Sequence, residues 1–376
     1  MARSTRRRSV PTRDTNSLIA GLLRDLATAQ TSTQSKWGYK RAAAAVRELE
    51  ESIETLVLPD GTLRKIAHVG PASTRIIMEV LATGGSPTVE AVVAASPKRS
   101  DVEKSRLLRE AFLSRAQVMA ALADPALQGP TLPQYRGDLQ MHSEWSDGSQ
   151  TLDDICRTGI ARGYTYAAVT DHSYGLPIAG GVSMAALAEQ HRDIDRLNAV
   201  YGGTFRLLKG IEANIRADGS VDMTLDELRQ MEIVVAAPHS VLRSPVAQTA
   251  RMIAAVSTPG IHILGHPRGR MYGSRPGVSA DWVAVFEAAG RFGVAVEIDG
   301  DPARQDLDYE LAEVAMRAGY LFALDSDAHA TGEWRHADTA IAHARLAGIP
   351  AERVINCWPL DRLLSWARSR TLAHTT

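Results

Sequence analysis

Histidines and carboxylates recur after residue 135 of this sequence at the ends of short apolar segments with the composition of β-strands. The chain has 11 histidines, and those at or just after such segments are His142, His172, His239, His266 and His329. Acidic side chains share the placement, namely Asp147, Asp171, Glu212 and Asp327. Neutral imidazole and carboxylate are ligands of zinc, manganese and iron, and one carboxylate can bridge two ions. The pattern therefore predicts a site for divalent metal ions.

The elements that would carry these residues alternate between strands and helices after residue 135. Strand segments lie at 166–170, 205–215, 232–237, 261–265, 293–298 and 320–324, and helical segments at 151–163, 183–202 and 308–319. Alternating βα units give parallel strands with right-handed crossovers. The number of strands favours a barrel over an open doubly wound sheet, and no G-x-G-x-x-G or P-loop motif is present. In such a barrel the carboxyl ends of all strands meet on one face, where the candidate ligands would converge.

Residues 15–128 differ, because their apolar residues recur at helical spacing with no strand between them. Turn segments such as LPDG (58–61) and TGGSPT (83–88) predict a small all-α bundle. Segment 63–84 places a glycine turn between two helices, where backbone amides at the start of the second helix can hold a phosphate. A proline-containing connector at 129–135 leads into the α/β region.

The composition is that of an ordinary globular protein, with 376 residues, 45% of them apolar, and a formal net charge of −1. This charge gives no overall attraction to nucleic acid or membrane. Cys156 and Cys357 lie far apart, which argues against a disulfide scaffold and a thiolate zinc site. With neither a run of the ~20 apolar residues that cross a bilayer nor a signal peptide, we expect a cytoplasmic protein. Arginine-rich residues 1–14 predict a disordered basic arm, either a solvated tail or a nucleic-acid contact.

Six segments, taken in chain order, resemble the successive motifs of the polymerase and histidinol phosphatase (PHP) family. They are GDLQMHSEWSDG (137–148), VTDHS (169–173), GIEANI (210–215), PHS (238–240), GHP (265–267) and SDAH (326–329). The resemblance covers residues 135–372 and implies a distorted (β/α)7 barrel holding two or three ions of zinc, manganese or iron. Ions so arranged clamp phosphoryl oxygens and lower the pKa of bound water, so the expected reaction is phosphoester hydrolysis.

The resemblance also implies a ligand set for each ion. It assigns His142, Glu212 and Asp327 to the first ion, Glu212, His239 and His266 to the second, and Asp147, His172 and His329 to the third. Of these, His142, His172, Glu212 and Asp327 are the expected catalytic residues. Many relatives have a histidine where this chain has Gln140, whose amide oxygen is a weaker zinc ligand. Gln140 either binds the first ion less tightly or orients a water or a neighbouring residue.

Three arginines follow a predicted ligand in GHPRGRMYGSR (265–275), namely Arg268, Arg270 and Arg275. Guanidinium groups present a fork of donors that matches phosphate, so we expect these arginines to bind the substrate phosphate. Arg270 also matches the GR that follows HP in the family. The alternative is a solvated loop.

Residues 37–49 and 63–84 resemble the helix-hairpin-helix N-terminal domain of family X DNA polymerases. The resemblance implies weak contact with the DNA backbone through Lys65, Gly70 and Arg75. Two positions depart from the pattern. His68 replaces the first glycine of the hairpin, and Ile76 occupies the position of the Schiff-base lysine, so deoxyribose-phosphate lyase activity is not expected. The gap before residue 137 is too short for a polymerase palm.

These features favour a metal-dependent phosphoesterase acting on DNA, as a 3′-5′ exonuclease or a 3′-end phosphatase in DNA repair. The alternative is a small-molecule phosphatase of the histidinol-phosphate type, in which the helical domain shapes the site or a dimer. A third possibility is a DNA-binding module stabilised by metal, without hydrolase activity. No membrane partner is expected, and the sequence leaves the oligomeric state open.

Overall fold

The computed structural model describes residues 14–317 and 319–372 of the chain. The chain divides into two compact units, Met1–Asp124 and Pro125–Thr376. The predicted basic arm lies outside the described residues, apart from Asp14, which caps the first helix.

The described part of the first unit is helical. Its α-helices are α1 (Thr15–Ala29), α2 (Thr33–Arg47), α3 (Pro71–Thr83), α4 (Pro87–Ala95), α5 (Arg99–Leu107) and α6 (Arg115–Ala123). Four of these helices have an N-cap residue whose side chain accepts a backbone N–H. These residues are Asp14, Ser32, Ser86 and Ser114. Such caps satisfy amides that have no partner within the helix, which is why these polar residues stand at the boundaries.

Apolar faces of these helices share one core. Ile19 and Leu23 of α1 pack with Val46 of α2 and with Ile77 and Val80 of α3. Among residues 14–317 and 319–372, no single helix is long and apolar enough to cross a membrane. The pair α3 and α4, taken together across a bend of 119°, meets the test by length and composition only.

The helix predicted before the glycine turn is absent, which corrects the expected hairpin. Residues 57–70 contain no helix, and a bridge pairs Val57 with Leu63 in antiparallel fashion. Asp60 accepts the backbone N–H of Thr62 at 2.9 Å, and Gly61 has a φ of 79°. Local turn chemistry therefore outweighs the helical spacing of the apolar residues that follow. Helix α3 starts after this segment as predicted.

The described residues of the second unit form seven parallel strands hydrogen bonded in sequential order. They are β1 (Gly137–Asp138), β2 (Tyr166–Val169), β3 (Arg206–Asn214), β4 (Ile233–Ala237), β5 (Ile263–Leu264), β6 (Ala295–Asp299) and β7 (Phe322–Asp325). The helices that surround them are α7 (Leu152–Ala161), α8 (Met184–Tyr201), α9 (Leu225–Leu228), α10 (Thr249–Ser257), α11 (Trp282–Phe292), α12 (Tyr309–Arg317), α13 (Ala337–Ala347) and α14 (Leu360–Leu372). The predicted (β/α)7 barrel is confirmed.

The first and last strands nearly close the barrel. A parallel bridge joins Met141 to Ala328, and the N–H of His142 donates to the Ala328 carbonyl at 2.9 Å. Gln150 adds to this seam, because its Nε2 donates to the carbonyls of His142 and Ala328 at 2.9 and 3.2 Å. Gly137 permits the approach of β1 to β2, since a Cβ there would lie 2.1 Å from the Tyr166 carbonyl oxygen.

A buried ion pair in the helical unit generates a test of its stability. The Asp25 carboxylate accepts hydrogen bonds from Arg109 and Arg106, and Asp25 and Arg109 are buried. We expect Asp25→Ala to destabilise this unit by about 3 kcal/mol, because it leaves the Arg109 charge buried without its partner. Hydrogen–deuterium exchange of the α1 amides would measure this unit separately from the barrel.

Glu90→Ala is the matched control, because Glu90 pairs with the same Arg106 but has a side chain that is 54% exposed. An exposed pair contributes about 0–1 kcal/mol. Equal losses of stability from Asp25→Ala and Glu90→Ala would contradict the prediction that the buried pair contributes more than the exposed one.

Candidate metal centre

Three overlapping groups of potential metal ligands lie at the carboxyl face of the barrel. In each group, ligand atoms from all members lie within 4.8 Å of one another. The groups are His142, Glu212 and Asp327; His172, Glu212 and His239; and His142, Asp147, His172 and His329. The structure thus brings together residues that the sequence separates by as much as 187 positions, from His142 to His329 (329 − 142 = 187).

Glu212 lies at the centre of these groups. Its Oε1 lies 3.0 Å from Nε2 of His266 and 3.2 Å from Nε2 of His239. Its Oε2 lies 3.1 Å from Nδ1 of His172 and 3.3 Å from Nε2 of His142. Two oxygens that face separate pairs of imidazoles give the geometry in which one carboxylate bridges two ions.

The barrel positions these side chains through its strand ends. Glu212 lies on β3, whereas His239, His266 and Asp327 follow β4, β5 and β7. Two of the loops turn sharply, since φ is 22° at His266 and 51° at Asp327, in the left-handed region that non-glycine residues avoid. Backbone strain of this kind is concentrated at functional sites, where the surrounding structure maintains it.

The loop after β1 folds back so that Asp147 approaches the histidines. Oδ1 of Asp147 lies 3.4 Å from Nε2 of His329, and Oδ2 lies 3.7 Å from Nε2 of His172. Gly148 permits this fold, because a Cβ there would lie 2.5 Å from the His142 carbonyl oxygen. Asp171 supports the loop without facing the ligands, accepting the backbone N–H of Ser143 at 2.8 Å.

The polar atoms of the site are suited to an ion. Within the described part of the chain, several buried ligand atoms have no hydrogen-bond partner: Nδ1 of His142, His172 and His266, Nε2 of His239 and Oε2 of Glu212. A buried polar atom without a partner costs free energy, and a bound cation removes that cost. Because the donors are imidazoles and carboxylates, the residues fit divalent transition metals.

The charges of the site hold its carboxylates ionised. Burial alone would raise the pKa of Glu212, but the charges of His172 and His239 hold it well below its ordinary value. For Asp327, the Arg304 guanidinium and His142 outweigh burial and lower the pKa. Burial opposes a raised pKa at His142, but the hydrogen bond to Asp327 and the charges of Asp327 and Glu212 outweigh it and raise the pKa.

Gln140, at the predicted altered position, is fully buried. Its Oε1 accepts the hydroxyl of Thr170 at 2.8 Å, and its Nε2 has no hydrogen-bond partner. The reverse orientation of the amide would let Nε2 donate to Thr170, whose hydroxyl would still donate to the carbonyl of Met141. That orientation leaves the amide oxygen available to an ion, as a ligand requires.

Arg304 is a component of the site that the sequence analysis missed. Its Nη1 contacts Oδ2 of Asp327, and Oδ1 of Asp327 lies 3.1 Å from Nε2 of His142. Nη1 also lies 3.5 Å from Asp299. The one signal in the sequence was the position of Arg304 six residues after the predicted strand 293–298, at whose end Glu297 and Asp299 lie without a matching metal motif.

The three predicted phosphate-binding arginines make contacts within the protein. Arg268 donates to Asp306 and Asp308, and Arg270 donates to Asp308 at 2.9 Å. Arg275 donates to the Gly269 carbonyl at 2.7 Å. Phosphate binding by them stays a prediction, and it would require these ion pairs to rearrange.

The predicted DNA contacts lie on the helical unit. Lys65, Gly70 and Arg75 are exposed, and Gly70 is the N-cap residue of α3, immediately before Pro71. Gly70 also lines a cavity of about 340 Å³ with Tyr39 and Arg41.

No protein-family model matches the chain. Among curated proteins, it is similar to the DNA polymerase/3′-5′ exonuclease PolX of Bacillus subtilis, with 36% identity over 226 residues, covering 60% of this chain and 40% of that protein. It is also similar to a probable phosphatase of Citrobacter koseri, with 30% identity over 254 residues, covering 64% of this chain and 96% of that protein. The chain thus spans under half the length of the Bacillus relative and nearly all of the phosphatase.

Among solved structures, the chain is similar to the histidinol phosphate phosphatase of Lactococcus lactis complexed with zinc, L-histidinol and phosphate. The TM-score is 0.45 at 17% identity, covering 57% of this chain and 94% of that one.

The ion pairs of Asp308 generate a prediction about pH. Burial would raise its pKa, but Arg268, Arg270 and the N–H of Leu311 lower it from 3.8 to about 2. A depressed pKa stabilises the fold above about pH 4, and this contribution is lost as the pH falls toward 2. Asp308→Asn should therefore lower the free energy of unfolding by about 2 kcal/mol at pH 7 and by less at pH 3, in urea unfolding. Asp226→Asn, at a side chain 89% exposed, is the control. An Asp308→Asn effect that does not change with pH would refute the assignment.

Gln140 generates a prediction about metal retention. Gln140→His should slow the loss of Zn²⁺ to a chelator by about tenfold, because imidazole binds zinc more tightly than an amide oxygen does. Chelator competition on the loaded protein measures the rate. Thr170→Val is a second variant for the same assay, since it removes the hydroxyl that hydrogen bonds to the Gln140 amide. Unchanged zinc loss in Gln140→His would place residue 140 outside the ligand set.

Proposed function

We propose that this chain, which belongs to the polymerase and histidinol phosphatase (PHP) family, hydrolyses phosphoester bonds in DNA, as a 3′-5′ exonuclease or a 3′-end phosphatase. The broader activity, metal-dependent phosphoester hydrolysis, is that of its relatives. The observation that carries the proposal is the Glu212 carboxylate, whose two oxygens face four imidazoles at the carboxyl end of a parallel barrel.

The residues at this face would hold two or three ions of zinc, manganese or iron, in the sets that the family resemblance implies. His142 and Asp327 would hold the first with Glu212, His239 and His266 would hold the second with Glu212, and Asp147, His172 and His329 would hold the third. Bound ions would polarise phosphoryl oxygens and lower the pKa of a water molecule. The protein fixes the ligands rigidly, since His142 and Glu212 are almost wholly buried. Such preorganisation is what positions a phosphoester for attack.

Two observations support DNA as the substrate. The first is 36% identity with a relative whose name includes a 3′-5′ exonuclease, over a match that covers 60% of this chain. The second is a cationic face on α2, where Nζ of Lys40 lies 4.8 Å from the centre of the Trp37 ring and Trp37 is 55% exposed. Burial and the charges of Lys36 and Arg24 lower the pKa of Lys40, as crowded cations do. Cations bind the DNA backbone and exposed aromatic rings stack on bases.

A small-molecule phosphatase of the histidinol-phosphate type is the second candidate. The observation that favours it is the probable phosphatase of Citrobacter koseri, since this chain covers 96% of that protein. On that alternative the helical unit would shape the site or a dimer and would not bind DNA. A cytoplasmic location is part of both candidates.

A 5′-labelled single-stranded oligonucleotide incubated with the protein and Mn²⁺ separates these candidates. A 3′-5′ exonuclease produces a shrinking ladder, and a 3′-end phosphatase changes only the mobility of a 3′-phosphorylated strand. His172→Ala should reduce the rate by more than the roughly 10–100-fold typical of residues that support metal ligands. Hydrolysis of histidinol phosphate with an intact oligonucleotide would favour the second candidate. A fully active His172→Ala variant would contradict the metal assignment.

The double variant Lys65→Ala, Arg75→Ala tests the role of the helical unit in the same assay. Losing two phosphate contacts should raise KM for the oligonucleotide, weaken its salt dependence and leave KM for p-nitrophenyl phosphate unchanged. An unchanged KM for the oligonucleotide would contradict backbone contact at these residues.

A further inference from the structure

The loop between β6 and α12, residues 300–308, presents Arg304 to the candidate metal centre. Arg304 contacts the oxygen of Asp327 that faces away from His142. One oxygen of Asp327 is thereby left facing the ligand cluster and the other is occupied by a guanidinium. The position of this loop consequently decides how Asp327 is oriented.

The next residue, Gln305, holds an unfavourable backbone conformation. Its φ is 45°, in the left-handed region that L-residues other than asparagine and aspartate rarely adopt. Gln305 is also almost fully buried, at 1% exposure. A strained residue persists only where its surroundings hold it, so a specific contact must maintain Gln305.

The backbone N–H of Gln305 donates to the Asp301 carbonyl at 2.8 Å, and His343 on α13 supplies a contact to the Gln305 side chain. His343 is fully buried, and its Nε2 lies 2.8 Å from Oε1 of Gln305. Nδ1 of His343 accepts the backbone N–H of Tyr309 at 3.0 Å, so the ring proton must reside on Nε2 and be donated to Gln305. Burial and the charge of Arg270 lower the pKa of His343 to about 3, so the ring stays neutral with this one tautomer.

Further contacts hold the same loop, in addition to the bonds that Arg268 and Arg270 donate to Asp308. Nε of Arg270 donates to the carbonyl of Arg304 at 3.0 Å. Nε of Arg268 donates to Asp306 at 3.0 Å. The loop is thus attached on one side to the segment after β5 and on the other to α13, and Arg304 lies between these attachments. The bond from His343 is the one made to the side chain of Gln305, the residue next to Arg304.

We propose that His343 is a positioning residue for hydrolysis, acting through Gln305 to hold Arg304 against Asp327. This inference rests on the proposed metal-dependent activity of the same site. His343 touches neither a ligand of the ions nor a substrate, and it acts only through the loop. Residues that orient metal ligands in this way typically change metal affinity or activity by roughly 10–100-fold when removed.

A double-mutant cycle tests the proposal. We expect His343→Leu to lower kcat/KM by about tenfold and Arg304→Ala by about tenfold or more. If His343 acts through Arg304, the double variant should be no worse than Arg304→Ala alone, because the interaction is already lost. Gln305→Ala should reproduce His343→Leu. Losses that multiply in the double variant would overturn the proposal.

His262→Leu is the matched control for general damage to the barrel. His262 is equally buried, accepts the backbone N–H of Val234 on Nδ1 at 2.9 Å and pairs through Nε2 with the Ala367 carbonyl at 3.0 Å. Assays run well below the lowest Tm of the set. We expect His262→Leu to lower Tm as much as His343→Leu does but to keep kcat/KM within about twofold of the wild-type value. Any loss of kcat/KM that it causes should add fully to the loss caused by Arg304→Ala. Equal activity losses from His262→Leu and His343→Leu would overturn the proposal.

Zn²⁺ titration of the metal-free protein by calorimetry supplies a readout besides activity. The same non-additive pattern is expected in Zn²⁺ affinity, since Asp327 is a ligand whose orientation changes. If the variants show this pattern of Zn²⁺ affinity but the wild-type protein cleaves no phosphoester, the proposed function is contradicted and the role of His343 is supported. If the wild-type protein is active but the losses caused by His343→Leu and Arg304→Ala add in both kcat/KM and Zn²⁺ affinity, only the role of His343 is refuted.

Discussion

A buried anion at the mouth of the barrel is the constraint on which the site depends. Glu212 is 1% exposed, and a lone carboxylate in such a position would take up a proton. Four imidazoles within 3.3 Å prevent this, and each of them comes from a different strand end. Parallel strands supply this arrangement because all of their carboxyl ends point the same way. A change that shifts one strand end therefore alters the electrostatics of all three ligand groups.

Much of the barrel could be predicted from its sequence because both faces of a parallel strand are covered. Such strands form continuous apolar runs, and β3 and β4 lie within the segments 205–215 and 232–237. Histidines beyond these runs could be assigned to one face by topology alone. The metal-ligand candidates that directly follow a strand, such as His239 and His266, needed only the order of the strands, whereas Asp147 reaches the ligand cluster through the folded loop after β1.

Loop conformation is what the sequence could not supply. The left-handed conformations of His266, Gln305 and Asp327 depend on tertiary contacts, so neither Arg304 nor its support by His343 had a local signal. The arginines after His266 matched a phosphate-binding pattern, yet Asp306 and Asp308, almost 40 residues away, determine where Arg268 points. The helix predicted within residues 57–70 failed for the opposite reason, because a local signal decided the structure. A turn at Gly61 forms there, although the spacing of the apolar residues is typical of a helix.

The seam between the first and last strands affects when the site can form. His142 follows β1 and Asp327 follows β7, and their side chains meet across 185 positions of sequence. Closing so long a segment requires the intervening strands to pair first. On a growing polypeptide, the group formed by His142, Glu212 and Asp327 stays incomplete until the last strand has left the ribosome. An ion held by this group would be acquired after synthesis of the barrel and would fasten together the two ends of the domain.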